Sequence, residues 1–187
     1  MAISIKTRSK TSAMPGQNFT KTKTKAKALY TPAQRLKRDS SPWTLVQGVL
    51  APIQFVVFLV SLALVLRYLI AGEGQYAAIV SVVVKTFTLY AIMVTGCIWE
   101  KVVFDCYLFA PAFYWEDVFS MLVLGLHTAY LAALLTDTLA ARQLMYLALA
   151  AYAAYVVNAA QFIWKLRMAR LDHARQTAGI SLKGAAA

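Results

Sequence analysis

Apolar residues gather in four runs, at 44–66, 77–99, 112–135 and 143–165, with short polar stretches between them. About twenty apolar residues in a helix, rising ~1.5 Å each, cross the roughly 30 Å hydrocarbon layer of a bilayer. The pattern therefore predicts four membrane-spanning helices. The connections at 67–76 and 136–142 are short, so neighbouring helices run antiparallel. The expected fold is all-α: a polytopic, antiparallel four-transmembrane-helix bundle. Within the first run, Pro52 lacks a helix donor and crowds the carbonyl of Gly48, which predicts a kink. Pro111 stands near the start of the third run, where proline suits a helix opening.

The flanks read differently. Residues 1–41 are rich in Lys, Thr and Ser and too poor in apolar residues to fold alone. They are expected to form a disordered basic tail ending in a short interfacial stretch at 30–39, with Trp43 anchoring the first span at the headgroups. Residues 42–170 make the membrane domain and 171–187 a basic C-terminal tail.

Composition agrees with the runs. Of 187 residues, 60% are hydrophobic and 14% charged, where a soluble domain has about half and a quarter. The net charge of +11 would suit nucleic acid, but its placement argues for a membrane. Ten of the 19 Lys and Arg lie within residues 1–38 and five from Lys165 onward, with Lys101 between the second and third runs. Only Arg67 and Arg142 fall on the other side. By the positive-inside rule both termini are expected in the cytoplasm. There each basic residue gains about 1 kcal/mol from anionic headgroups, so nucleic acid is not an expected partner. Cys97 and Cys106 match no metal or redox spacing and read as small buried residues.

A charge at the centre of a span costs about 2.5–3.5 kcal/mol, so polar positions there carry information. Counting inward at ~1.5 Å per residue, Gln47, Thr95, Glu116 and Gln161 share a level about 5–6 Å below the cytoplasmic face. Asn158, Gln161 and Lys165 lie on one face of the fourth helix; Glu116, Ser120 and His127 lie on one face of the third. Glu100, Lys101 and Asp117 sit at the rim, and Gln54 shares a face with Gln47. Lys85 and His127 form a deeper level, about 12 Å from the outer face. Each has a plainer reading. The acids suit a solvated helix boundary, His127 an interhelical hydrogen bond, Lys85 a snorkelling or paired cation, and Asn158 and Gln161 interhelical glue. The aromatics Trp99, Phe104, Tyr107, Phe109, Phe113, Tyr114 and Trp115 suit an interfacial belt or a platform for a flat ligand. No phosphate loop, zinc spacing or nucleophile elbow is present, and no metal site is expected.

The segments SPWTLVQGVLAPIQFVVFLVSLALVLRYL, VVVKTFTLYAIMVTGCIWEKVVFDCYLFAPAFYWEDVFSMLVLGLHTAYL and NAAQFIWKLRMAR resemble the 3-vinyl bacteriochlorophyllide hydratase family. The likeness spans roughly residues 30–170, and WEK, FAP, WED and LHT within 99–128 are its most specific pieces. It implies a hydro-lyase that adds water to the 3-vinyl group of a (bacterio)chlorophyllide, giving a 1-hydroxyethyl group, in the photosynthetic membrane of a bacterium. Hydration leaves the overall oxidation level unchanged, so no cofactor is expected; the substrate carries its own magnesium. The expected partners are the substrate, water and lipid, with other pigment-synthesis or photosynthetic membrane proteins as further candidates. For the chemistry, Glu116 is expected as the acid, with Glu100 or Asp117 orienting water. Glu100 is the better partner, because Glu116 and Asp117 project about 100° apart. Gln54, Asn158, Gln161, Trp99 and Trp115 are expected around the ring, with Lys101, Lys165 or Arg167 at its propionate. His127 lies about 16 Å along the helix from Glu116, so it is read as structural in preference to a magnesium ligand. The competing function is a non-catalytic pigment-binding or assembly subunit.

Overall fold

The computed structural model describes residues 29–184, and among residues 172–184 it describes only the side chain of Ala174. A short helix, α1 (Pro32–Ser40), precedes four long ones: α2 (Pro42–Ala71), α3 (Gln75–Phe104), α4 (Tyr114–Leu135) and α5 (Ala141–Gly184). No strand occurs among the described residues. Four segments are long and apolar enough to cross a bilayer: Pro42–Ala71, Gln75–Phe104, Tyr114–Leu135 and Ala141–Leu171. Helices are what a bilayer demands, since every backbone donor and acceptor must be satisfied without water. The large apolar side chains left exposed, such as Val56, Val60, Phe87 and Leu122, face outward. In lipid that face carries no penalty.

Helices α2, α3 and α5 outrun the apolar stretches, α2 because its ends are capped beyond them, while α4 starts at Tyr114, two residues inside the stretch expected for it. Ser41 accepts from the Trp43 amide and Pro42 occupies the first helical position of α2. At the other end, Gly72 adopts φ 74° and returns its N–H to the Tyr68 carbonyl at 2.9 Å. That left-handed position is costly for a residue with a Cβ. Helix α2 passes through Pro52 without ending. Helix α5 continues past the expected start of the C-terminal tail to Gly184, because the sequence after Lys165 holds strong helix formers and no proline.

In the core, α2 packs chiefly on α3 and α4 on α5. Phe58, Val65, Val82, Leu89, Val123, Met145 and Tyr152 close the middle of the bundle. Buried hydroxyls are tied together there, with Ser61 bonded to both Ser81 and Tyr152.

The other end of the bundle is built by α1. The disordered tail expected to reach residue 41 does not extend that far; residues 1–28 of it lie outside the described residues. Thr31 accepts from the Gln34 amide while the Gln34 side chain accepts from Thr31, a complete capping box, and Pro32 follows at the first helical position. Two further contacts hold α1 to the bundle. Lys37 pairs with Asp105 at 3.0 Å, and Tyr30 is buried against Phe104 and Phe113. Trp99 and Phe162 complete this second, smaller core.

Phe113 touches four aromatic neighbours and is 2% exposed. Phe113→Ala is expected to cost about 3–5 kcal/mol, read as a lowered thermal unfolding midpoint of the detergent-solubilised protein. An unchanged midpoint would show that this cluster contributes little to holding the end of the bundle together.

Candidate functional site

At the α1 end, the long helices part to leave a cavity of about 820 Å³, at the upper end of the usual range for small-molecule sites. Its wall is mostly apolar or aromatic, including Tyr30, Trp99, Phe113, Tyr155 and Phe162. The polar lining is sparse: Gln47, Gln54, Glu100, Asp117, Ser120 and Asn158, with Arg35, Arg38 and Arg170.

The two acids come from the facing ends of α3 and α4. Glu100 lies one turn before the end of α3, and Asp117 lies in the first turn of α4. Free amides at a helix start favour negative charge. The connection between these helices serves the same end. Phe109 is held at φ 60°, a left-handed conformation unusual for a bulky residue. In that posture its amide donates to Asp117 Oδ2 at 2.7 Å. Glu100 and Asp117 line the same cavity. They are 5% and 6% exposed, and Glu100 Oε2 is left without a partner.

A second polar layer lies deeper. One helical turn beyond Asp117, Ser120 accepts from Asn158 Nδ2 at 2.9 Å, while Asn158 Oδ1 is buried without a partner. On α2, Gln54 is buried with its Oε1 unsatisfied. Gln47 is instead spent on structure, donating to Thr95 Oγ1 at 2.7 Å. Trp99 lines the cavity with its ring fixed by a 2.9 Å hydrogen bond from Nε1 to Thr44.

Several expected site residues fall elsewhere. Glu116 does not line the cavity: Lys165 binds its Oε2 at 2.5 Å and also stacks over Phe113. The acid that lines the cavity together with Glu100 is Asp117. The 100° between adjacent helix positions turns Asp117 inward and Glu116 toward α5. Lys165 is consumed by that pair, and Lys101 is exposed, donating to the Asp105 carbonyl and lying over Tyr107. Trp115 is 67% exposed and belongs to an outward belt with Tyr107, Phe109 and Tyr114. Gln161 is outside the lining, its Oε1 buried without a partner. His127 is fully buried away from the cavity; its Nδ1 lies 2.8 Å from the Val123 carbonyl and its ring lies against Tyr152. Lys85 is also buried, its ammonium 3.8 Å from the centroid of the Tyr155 ring.

Sequence reasoning missed Arg35, Arg38 and Arg170. Arg35 and Arg38 stand on α1, within the stretch 30–39 that the sequence places at the interface without marking it as a wall of the site. The capping sequence Thr31-Pro32-Ala33-Gln34 was the available signal. Arg38 is oriented from two sides, by a 2.7 Å ion pair with Asp39 and by the Tyr30 ring 4.7 Å from its guanidinium carbon. Burial, the largest influence, raises the pKa of Tyr30 above the ordinary phenol value, so its ring stays neutral beneath that cation.

The family profile described as 2-vinyl bacteriochlorophyllide hydratase matches residues 30–168. The chain belongs to this family. A hydratase of that description from Rhodobacter capsulatus is 63% identical over 153 residues, covering 82% of this chain and 89% of the relative. Another from Cereibacter sphaeroides is 67% identical over 144 residues, covering 77% and 89%. No solved structure matches the chain. The hydratase family match begins at Tyr30, the first residue of the α1 end to be buried in the bundle.

The ion pair of Lys165 and Glu116 gives a direct test of this arrangement. Lys165→Met strands a nearly buried carboxylate and is expected to cost on the order of 3 kcal/mol, whereas adding Glu116→Gln recovers most of the loss. Thermal unfolding of the two variants checks it. Equal losses in both would mean that the pair is not coupled.

Proposed function

We propose that this protein hydrates the vinyl group of a bacteriochlorophyllide, with Glu100 and Asp117 as its acid and base. The observation that carries the assignment is that these two buried carboxyls, alone among the acids of the described residues, line the cavity. (Position 2 in the relatives' names is the carbon numbered 3 in the other tetrapyrrole scheme.)

Two buried carboxyls lining one cavity do not readily both ionise, so the pair holds one proton. Asp117 has the Phe109 amide and the start of α4 to support its charge; the proton therefore belongs to Glu100. Glu100 delivers it to the terminal vinyl carbon. The positive charge that develops on the inner carbon spreads into the macrocycle. Asp117 takes a proton from water as its oxygen attacks that inner carbon, and Ser120 and Asn158 are placed to hold the water. The product is a 1-hydroxyethyl group. The proton now on Asp117 returns to Glu100 within the cavity, so the cycle closes with no proton gained or lost. No cofactor enters, since the substrate brings its own magnesium and no electron changes hands. The aromatic wall of Trp99, Phe113 and Phe162 suits a flat ring.

The cavity end of the bundle is the cytoplasmic one on this reading, with both termini inside and the membrane that of the photosynthetic apparatus. The charge bias supports it: among the described residues Arg35, Lys37 and Arg38 of α1 and Lys165, Arg167 and Arg170 of α5 fall on that side.

Expressed in a host without chlorophyll synthesis and supplied with 3-vinyl bacteriochlorophyllide, the chain is expected to yield a product heavier by one water. Glu100→Gln and Asp117→Asn should each slow this by about 10²–10⁴-fold, while Glu116→Gln keeps most of the rate. A bound pigment of unchanged mass would mean a binding subunit instead. Full activity in Glu100→Gln would remove the assignment of the acid. For the orientation, cysteines placed near either terminus should resist an impermeant thiol reagent in intact cells and react after lysis.

A further inference from the structure

The acid pair accounts for one part of the cavity. The three arginines that line it have no task in the hydration. Arg35 and Arg38 come from α1 and Arg170 from the far end of α5, so two elements distant in sequence bring cationic forks to a single space. Arg38 is held in place by Tyr30 and Asp39. Tyr30 is in turn buried, and α1 is fastened to the end of α3 by Lys37 and Asp105. This is a mounting for a fixed guanidinium, not a loose surface charge. A guanidinium presents a planar set of donors that matches a carboxylate, which suits it to anion recognition better than an ammonium.

We infer that Arg35, Arg38 and Arg170 form a subsite for the free propionate carboxylate of the macrocycle, and that they make the protein selective for the acid over its ester. The inference rests on the hydratase reading above, which supplies a ring bearing both a vinyl group and a carboxylate. A ligand that places its vinyl group at Glu100 and Asp117 has the rest of its rim inside the same cavity, which the arginines line. An ester offers no charge. It therefore forgoes the charge-assisted hydrogen bonds that a carboxylate makes to a guanidinium fork, which is the basis of the discrimination. The competing occupant is a lipid phosphate, which would hold the arginines without regard to the pigment.

The test uses the full chain in nanodiscs with 3-vinyl bacteriochlorophyllide and its methyl ester as probes. Binding is read from quenching of tryptophan fluorescence, Trp99 being in the cavity wall, and turnover is read from product mass. The wild type is expected to bind the acid at least about tenfold more tightly than the ester. In Arg35→Gln/Arg170→Gln that ratio should fall toward one, through weaker binding of the acid alone. Arg170→Gln by itself changes an exposed position that the bundle does not need for folding, and should lower the ratio part of the way. Arg167→Gln, three residues away and outside the lining, should keep it. Equal binding of acid and ester by the wild type would overturn the inference. So would a ratio that survives in the double variant, which would assign the arginines to lipid phosphate. Acid preference without hydration would leave the subsite standing and remove the hydratase reading; equal hydration of both forms would do the reverse.

Discussion

A polar group inside a bilayer has no water to fall back on, so it must bond within the protein or border a space meant for a ligand. The backbone obeys by forming helices. The side chains obey less uniformly: Lys85 Nζ, His127 Nε2, Tyr130 Oη and Gln161 Oε1 are buried outside the cavity lining without a hydrogen bond, and two other groups of polar side chains stand apart. In the middle of the bundle, Ser61, Ser81 and Tyr152 satisfy one another, and Thr86 bonds back to the Val82 carbonyl. Toward the α1 end, Gln54, Glu100 and Asn158 keep an unsatisfied buried atom each while lining one cavity. Unsatisfied atoms that converge on a common space are what a binding site requires, whereas the same atoms scattered would only destabilise.

The shape of that space depends on elements that never cross the membrane. The connection between α3 and α4 spends two left-handed residues, Asp105 and Phe109, on its turn. The second of these aims an amide at Asp117. Backbone strain at a bulky residue persists only where its surroundings fix it, and here the carboxylate is part of those surroundings. The aromatics of the connection split accordingly. Trp99, Phe104 and Phe113 turn inward to seat Tyr30, while Tyr107, Tyr114 and Trp115 remain outward at the level of the headgroups. One sequence cluster thus serves as both belt and wall.

Apolar run length made the four spans and their antiparallel order legible, because lipid solvation acts on composition alone. The level at which polar residues gather was legible too, since depth follows from a count of residues. Facing was harder. Glu116 and Asp117 are neighbours in sequence and equally deep, and only the rotation of α4 decides which meets the cavity and which meets Lys165. That rotation is set by packing among Phe113, Phe162 and Tyr30, contacts between residues 30 and 162 that no local pattern records. Helix α1 is the converse case. Its capping box was plain in the sequence, but a basic, hydroxyl-rich setting outweighed it, and with α1 went the two arginines it carries.

The separation of His127 from the acid pair then has a chemical consequence. A ring seated with its vinyl group at Glu100 and Asp117 lies within the layer bounded by Gln54 and Asn158. His127 lies beyond it, behind Tyr152, with Nδ1 engaged by the Val123 carbonyl. Lys85 is screened in the same direction by the Tyr155 ring. Neither nitrogen base lines the cavity, whose polar lining is made of carboxyls, amides, hydroxyls, the Cys97 thiol and three guanidiniums that stay protonated. That selection fits the reaction. A developing carbocation next to an available amine or imidazole would be captured by it, forming a C–N bond in place of the C–O bond. Oxygen groups that hold water beside the cation direct the same intermediate to the alcohol. Keeping the nitrogen nucleophiles out of the cavity lining is therefore as much a condition of hydration as the presence of the acid.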